Sequence, residues 1–399
     1  METSLTHVAH QFLWHIPRDA IAIRPYGTGL INNTYLVEVT GAGAAGESAP
    51  SPGESRSAPP GAPSPGAPSP GREAPGSAPL NSRYILQRIN TAVFQNPHEL
   101  MDNARRITHH LAIPHTNQLE FLPTHDGTVL YQDGDGGFWR MSTFIQGSYA
   151  LDLPRSPEDA YYAAHAFGSY QRRLSDLPGP RLHETIPGFH DTPRRFTTFL
   201  RALSEDRYNR AIRCAEEVAL IQKAEDLLHQ LHELHRQGAL PERITHNDTK
   251  ISNVLFGQKS HRPICVIDLD TTMPGFVAHD FGDLVRTAAV TIPEDSETIP
   301  ANLFSEELFR ALSRGYIDAA AGFLTTTERE TLVLGAIVIA LEQAMRFLTD
   351  FLQGDVYYGA QKHAHNLVRC RTQLALASAL KNNQAHLETW IAQAPPYAN

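Results

Sequence analysis

The sequence predicts an α+β chain in two lobes, a small β-rich N-lobe over residues 1–145 and a larger, mainly helical C-lobe over 146–399. Three observations carry this. Apolar residues alternate with period two in short runs before residue 145, they recur at helical spacing from Pro157 onward, and a short β-rich island, Ile244 to Asp270, interrupts the helices. A chain of 399 residues has room for two domains or one two-lobed unit.

The elements follow in order. Ile21 and Ile23, then Tyr35, Val37 and Val39, read as two strands around a turn in which Gly27 and Gly29 supply permissive backbone. Between Gly41 and Pro79, 34 of 39 residues are Ala, Gly, Pro or Ser. That composition buries too little apolar surface to offset chain entropy, so residues 41–79 are expected to be a disordered insert at a strand-to-strand tip. Strand character resumes at Tyr84 to Ile89, and Asn96-Pro97 opens a helix that runs to Leu111. Val129 to Tyr131 and Phe138 to Met141 flank a glycine-rich hairpin turn. Beyond Pro157, Ala163, Phe167 and Tyr170 share one helix face, as do Leu227, Leu228, Leu231 and Leu234. The apolar run Leu332 to Leu341 is too short to span a bilayer and reads as a buried helix.

Charge and cysteine usage exclude several classes. A formal net charge of −9 argues against nucleic-acid binding, which needs a basic face. Cys214, Cys265 and Cys370 are odd in number and form no C-x-x-C pair, so a disulfide framework is not expected and a reducing cytoplasm is. The N-terminus carries no signal-peptide pattern. The expectation is a cytoplasmic monomer that meets neither membrane nor nucleic acid and acts on a small molecule.

The strongest motif is Ile244-Thr-His-Asn-Asp-Thr-Lys-Ile-Ser-Asn253, which contains H-x-D-x-K-x-x-N, followed by Val266-Ile-Asp268-Leu-Asp270. Phosphoryl transfer needs one carboxylate to orient and deprotonate the acceptor hydroxyl, and hard oxygen ligands to hold Mg²⁺ against nucleotide phosphates. Asp248 fits the first role, and Asn253 with Asp268 the second. The Asp-to-Asn offset is that of the protein-kinase catalytic loop. Lys250 either contacts the transferring phosphoryl or braces Asp248, the former being favoured. Asp268 reads as the end of the strand Ile264-Cys-Val-Ile, whose edge projects its carboxylate, and Asp270 as a metal or supporting residue on the same side of an extended chain. Asp280-Phe281-Gly282 spells the metal-binding tripeptide of protein kinases, but no apolar strand leads into it. Asp280 and Asp283 are therefore expected to brace the catalytic loop or to cap a helix starting near Asp283.

These motifs resemble the aminoglycoside phosphotransferase and choline kinase group of protein-kinase-like folds. The strings YGTGLINNTYLV, YILQRINTAVFQNPHELMDN, THNDTKISNVLF, VIDLDTTMPGFVAHDFGDLVR and RFLTDFLQGDVYY resemble, more narrowly, the N-acetylhexosamine 1-kinases of that group. The resemblance implies ATP and Mg²⁺ as cofactors and phosphorylation of GlcNAc or GalNAc at the anomeric hydroxyl, in amino-sugar salvage. It places Gly27, Gly29, Asn32 and Thr34 over the phosphates and makes Thr143, Phe144 and Ile145 an adenine-facing hinge. Where many kinase-like folds have a phosphate-contacting lysine on the third strand, this chain has Gln87 and Arg88. Adjacent strand residues face opposite ways, so one of the two reaches the nucleotide. Kinases of the same fold acting on choline, an aminoglycoside or another sugar are alternatives, as is a nucleotide-binding pseudokinase.

Glu342, Arg346 and Asp350 recur at i, i+4 and i+8, which alone suggests intrahelical ion pairs. The tail resemblance shifts Arg346 toward a sugar contact, with Asp350 and Tyr357 beside it. His229, His232 and His235 share a helix face, but Arg236 stands where a zinc H-E-x-x-H motif needs its second histidine.

Overall fold

A computed structural model describes residues 4–27, 31–40, 82–113, 116 and 118–394. The chain divides into two compact units, residues 1–91 with 121–144, and residues 92–120 with 145–399.

The first unit is an antiparallel sheet in the order β1-β2-β3-β5-β4, built from β1 (Ile21–Pro25), β2 (Asn33–Val39), β3 (Arg83–Ile89), β4 (Tyr131–Gln132) and β5 (Phe138–Thr143). Alternation decides which face is covered. Val37, Val39, Tyr84, Leu86, Trp139 and Met141 point to one side, where they pack with Val8, Ala9, Phe12 and Leu13 of helix α1 (Leu5–Phe12) and the residue after it. Strands β2 and β3 pair directly, Glu38 opposite Arg83, although residues 39–82 separate them in sequence. The segment 41–79 lies outside the described residues.

The second unit begins with α2 (Pro97–Leu111), whose N-terminus is capped as the sequence predicts: the Asn96 side chain accepts from the Glu99 N–H at 3.3 Å. The strands β6 (Ser148–Tyr149), β8 (Val254–Gly257) and β9 (Pro263–Val266) form one small antiparallel sheet. A second pairs β7 (Arg243–Thr245) with β10 (Met273–Gly275). Around them lie α3 (Pro157–Leu174), α4 (Thr192–Glu205), α5 (Ala215–Lys223), α6 (Glu225–Arg236), α7 (Val277–Ala288), α8 (Glu306–Ala319), α9 (Thr326–Glu330), α10 (Leu332–Leu352), α11 (His365–Asn382) and α12 (Gln384–Gln393).

Helix α10 corrects one expectation. It does not stop at Leu341 but continues to Leu352, 21 residues, long and apolar enough to cross a bilayer. Its apolar surface is instead covered by α4, α7 and α11, with Ile337, Ala340, Ala344, Phe347 and Leu348 in the core. Length did not separate the two cases; burial does. The crossing of α7 over α10 is close because glycine stands on both sides: a Cβ on Gly282 would sit 2.5 Å from the Gly335 carbonyl oxygen.

Candidate active site

The loop between β7 and β8 is held open by hydrogen bonds that leave few degrees of freedom. Asn247 adopts φ 61°, a left-handed conformation that asparagine tolerates better than most residues. Its amide donates to the Thr271 carbonyl at 2.9 Å, and its Oδ1 accepts from the Thr245 hydroxyl at 3.0 Å. The buried carboxylate of Asp280 accepts the N–H groups of His246 at 2.8 Å and Asn247 at 2.7 Å, and the Gln171 amide at 2.5 Å. Thr249 donates its hydroxyl to the Asp280 carbonyl at 2.6 Å. The loop is thus pinned to α7 from both sides of Asp248.

A second set of bonds brings Asn253 and Asp268 together. The Ile267 N–H donates to the Asn253 carbonyl, and His246 Nε2 lies 2.9 Å from the Ile267 carbonyl. Asn253 donates its amide to Asp248 Oδ2 at 3.1 Å and to the Asp248 carbonyl at 2.8 Å, and Lys250 Nζ lies 3.0 Å from the same Oδ2. Burial works against the Lys250 charge, but the carboxylates of Asp248 and Asp268 outweigh it and hold the ammonium above its ordinary range. Asp268 shows the opposite pressure. Protein crowds its carboxyl and pushes it up to about 6, with Asp270 and Asp248 adding like-charge repulsion. The residue as a whole is nonetheless exposed to solvent and is not in the core.

Three expectations about this region are corrected. Strand β9 ends at Val266, and Asp268 stands two residues beyond it at φ 61°, heading a single 3₁₀ turn. It is therefore aimed by a left-handed kink and not by a strand edge. Asp270 lies inside that turn, buried, so the same-side argument for an extended chain does not apply to it. Helix α7 begins at Val277, which puts Asp280, Phe281, Gly282 and Asp283 within a helix instead of a loop. Asp280 does brace the loop that carries Asp248. Asp283 caps nothing: despite burial, Arg286 at 2.6 Å holds its carboxyl below the usual range.

Beside the loop lies a buried polar cluster whose members come from distant parts of the chain. Glu342 on α10 is 1% exposed and accepts from His190 Nδ1 at 3.0 Å, with Arg195 Nε at 3.5 Å and Arg346 Nη1 at 3.7 Å. Burial alone would raise the Glu342 carboxyl; His190 and the two guanidiniums instead hold it at about 2. Arg195 is pushed down to about 10 by burial and by the charge of Arg346. His190 also reaches the Asn247 carbonyl at 3.4 Å, which joins this cluster to the loop that carries Asp248. The Arg346 guanidinium lies over the Phe189 ring at 5.0 Å and the Tyr358 ring at 5.5 Å. No intrahelical pair joins Arg346 to Asp350 among the described residues. Asp350 spends its oxygens on the N–H groups of Tyr357 at 2.7 Å and Tyr358 at 2.9 Å and on the Asn366 amide at 3.0 Å. It shapes the loop that carries the exposed Tyr357. His190 and Arg195 were missed by sequence reasoning; they precede and open α4, about 150 residues from Glu342, and no spacing pattern links them. His229, His232 and His235 each meet a backbone carbonyl, those of Glu225, His190 and Leu240.

In the sheet unit, Gly27 takes φ 76° in the turn between β1 and β2, while Gly29 lies outside the described residues. Asn32 is not turned outward alone: its Oδ1 accepts from the Asn90 N–H at 2.9 Å and ties the turn to the end of β3. Register separates Gln87 from Arg88. Gln87 lies between Thr34 and Arg140, bonded to both side chains, on the face away from α1. Arg88 is exposed on the α1 face, over the Trp139 ring at 5.8 Å. Phe144 ends this unit with Arg83 stacked on its ring at 4.3 Å, and Ile145, buried, opens the other. Thr143 closes β5 opposite Tyr84.

Comparison with known proteins adds the following. The phosphotransferase enzyme family matches residues 76–323 of this chain. A microcompartment-associated aminopropanol kinase is similar in structure, with 15% identity over 96% of this chain and 98% of its own and a TM-score of 0.58. So are a choline kinase from Cryptosporidium parvum Iowa II (12%, 98% and 99%, 0.57) and the amicoumacin kinase hAmiN, solved with AMP-PNP, Ca²⁺ and Ami (11%, 95% and 94%, 0.55). At such identities the likeness is one of fold, and the fold is kinase-like.

Proposed function

The chain belongs to the phosphotransferase enzyme family, and from that premise we propose that it transfers the γ-phosphoryl of ATP to the anomeric hydroxyl of an N-acetylhexosamine, giving the sugar 1-phosphate. The observation that carries the phosphotransferase chemistry is the cluster of Asp248, Lys250 and Asn253 on one braced loop, with Asp268 close enough beyond β9 to act on the Lys250 charge. Both contacts to the Asp248 side chain fall on Oδ2, so Oδ1 is the oxygen left to take the acceptor proton. Lys250, charged and shared between two carboxylates, stands where it can meet the transferring phosphoryl.

The residues present fit a divalent cation. Asp268 has no hydrogen-bond or ion-pair partner among the described residues, and Asn253 commits its amide nitrogen to Asp248, which leaves its oxygen as a ligand. Two protein oxygens suit Mg²⁺, which takes its remaining ligands from water and substrate phosphates. Mg²⁺ held there would neutralise charge on the nucleotide phosphates. Asp248 then needs only to hold the acceptor oxygen in line, because this reaction depends mainly on alignment and electrostatics.

The cluster at Glu342 supports a sugar over a cationic acceptor. Two guanidiniums and His190 share one carboxylate, so an ammonium group would meet net repulsion while a hydroxyl or acetamide carbonyl would find donors. Arg346 is the contact we assign to the sugar, with Tyr357 at its side. The test is a panel of GlcNAc, GalNAc, their methyl glycosides, choline, aminopropanol and an aminoglycoside, read by ADP release and phosphorus NMR. Free N-acetylhexosamines should turn over and give an anomeric phosphate, and the methyl glycosides should give none. Preferred turnover of an amine, or of a methyl glycoside, would end the 1-kinase reading and leave the family intact.

A further inference from the structure

Besides Arg346, the cluster around Glu342 holds a second guanidinium, that of Arg195, to which the proposed function gives no role. Its Nε and Nη2 both donate to the Phe189 carbonyl, Nε at 2.7 Å, and Nε stands 3.5 Å from Glu342 Oε1. Those contacts spend one edge of the planar fork and set its orientation. Nη1 has no hydrogen-bond or ion-pair partner among the described residues, and 25% of the side chain is exposed. The guanidiniums of Arg195 and Arg346 both lie over the Phe189 ring, at 5.7 and 5.0 Å, and both approach the same oxygen of Glu342. The open edge of Arg195 thus belongs to the group of donors in which Arg346 stands.

We propose that Arg195 binds the acetamide carbonyl of the acceptor and so sets the preference for an N-acetylated sugar. This assignment rests on the sugar reading above and adds to it the residue that recognises the N-acetyl group. Donors here outnumber acceptors. Glu342 Oε1 already serves His190 at 3.0 Å, Arg195 at 3.5 Å and Arg346 at 3.7 Å, and Gln343 Oε1 takes an Arg346 N–H at 3.1 Å. A ring hydroxyl brings a further hydrogen to acceptors that are already shared, whereas a carbonyl oxygen only accepts. Burial, and then the charge of Arg346, press Arg195 down to about 10, so an oxygen at its open edge relieves a crowded charge. A guanidinium is what position 195 needs, because one edge keeps Phe189 while the other meets the ligand; lysine has no second edge.

The experiment measures kcat/KM for GlcNAc and GalNAc against glucose and galactose, which carry a hydroxyl in place of the acetamide. The proteins are the full chain, Arg195→Met, Arg195→Lys and Arg194→Met. The ratio of acetamido to hydroxyl sugar within one preparation does not depend on the folded fraction, which keeps the test usable if a variant folds poorly. The parent should favour the acetamido sugars by roughly 10- to 100-fold, the size of a charged hydrogen bond. Arg195→Met should bring that ratio to within about threefold of unity, with glucose turnover and the KM for ATP nearly unchanged. Arg195→Lys should restore little of it, and Arg194→Met, exposed on the same helix, should shift it by about twofold at most. A ratio that survives Arg195→Met, or a loss shared equally by acetamido and hydroxyl sugars, would overturn the proposal while the sugar-kinase reading stood. A parent that turns over both kinds of sugar equally would overturn it without any variant. A parent that phosphorylates amino alcohols and no sugar would overturn the sugar reading, and the proposal with it.

Discussion

Asp268 and Asp280 lie 12 residues apart, and each has been a reasonable candidate for the same metal. Asp280 sits in the first turns of α7, wholly buried, with both oxygens spent on backbone N–H groups and the Gln171 amide. Asp268 heads a short 3₁₀ turn with no internal donor among the described residues and two carboxylates for neighbours. Burial disfavours the charge on both, but donors already hold Asp280 and none holds Asp268 among the described residues. The difference teaches that a carboxylate's role follows from which donors already hold it, more than from the tripeptide in which it is spelled.

Five substitutions would break or sharpen that contrast. Asp268→Asn should cut turnover by at least roughly 10²-fold, as should Asp248→Asn by roughly 10² to 10⁴, each with adenosine binding retained. Melting temperature in the absence of divalent cations should not fall in Asp268→Asn, because a crowded charge is removed. A clear loss of stability there would place Asp268 in the framework beside Asp280. Next in size, Asp280→Asn should destabilise the chain by about 2–3 kcal/mol in denaturant melts, since a neutral amide cannot accept from all three donors. A stable protein that loses only Mg²⁺ dependence would reverse the assignment of the two aspartates.

Glu342→Gln extends the comparison to a carboxylate held by cations. Its folded pKa lies below the ordinary glutamate value, so its ion pairs stabilise the fold above about pH 4.5 and that contribution is lost as pH falls toward 2. The gap in melting temperature between parent and variant should therefore narrow as pH drops from 6 to 3; a constant gap would mean that packing, and not charge, is what the glutamate provides. The smallest expected effect is Gly282→Ala. A methyl group there meets the Gly335 carbonyl, so about 1–3 kcal/mol of stability should be lost with nucleotide affinity unchanged. A selective loss of nucleotide or metal binding would instead make this glycine a hinge, as the Asp-Phe-Gly spelling suggests.

Much of this was legible before the structure. The alternation of Ile21 to Val39 and Tyr84 to Ile89 gave the strands, Asn96-Pro97 gave a capped helix start, and the H-x-D-x-K-x-x-N spacing placed Asp248 and Asn253 on one loop. The failures have local causes. A left-handed residue such as Asp268 carries no periodic signature, so the strand was read two residues too far. The helix expected to start near Asp283 starts at Val277, and the packing of Gly282 on Gly335 that accommodates a glycine inside it is a tertiary contact. Gln87 and Arg88 could be told to face apart from sequence, but only register against Thr34, Arg140 and Trp139 says which faces where. The joining of His190 and Arg195 to Glu342 is a tertiary contact with no trace in local sequence.

The pairing of Glu38 with Arg83 has a practical side. The closing register of β2 and β3 is set by the sheet, and closure entropy grows only slowly with loop length, by about 0.6 kcal/mol per doubling. The join between these strands is thus a port. A fluorescent domain or an affinity handle could be spliced into it, far in sequence from the residues proposed for the acceptor, giving a way to report on the sheet unit without rebuilding the helical one.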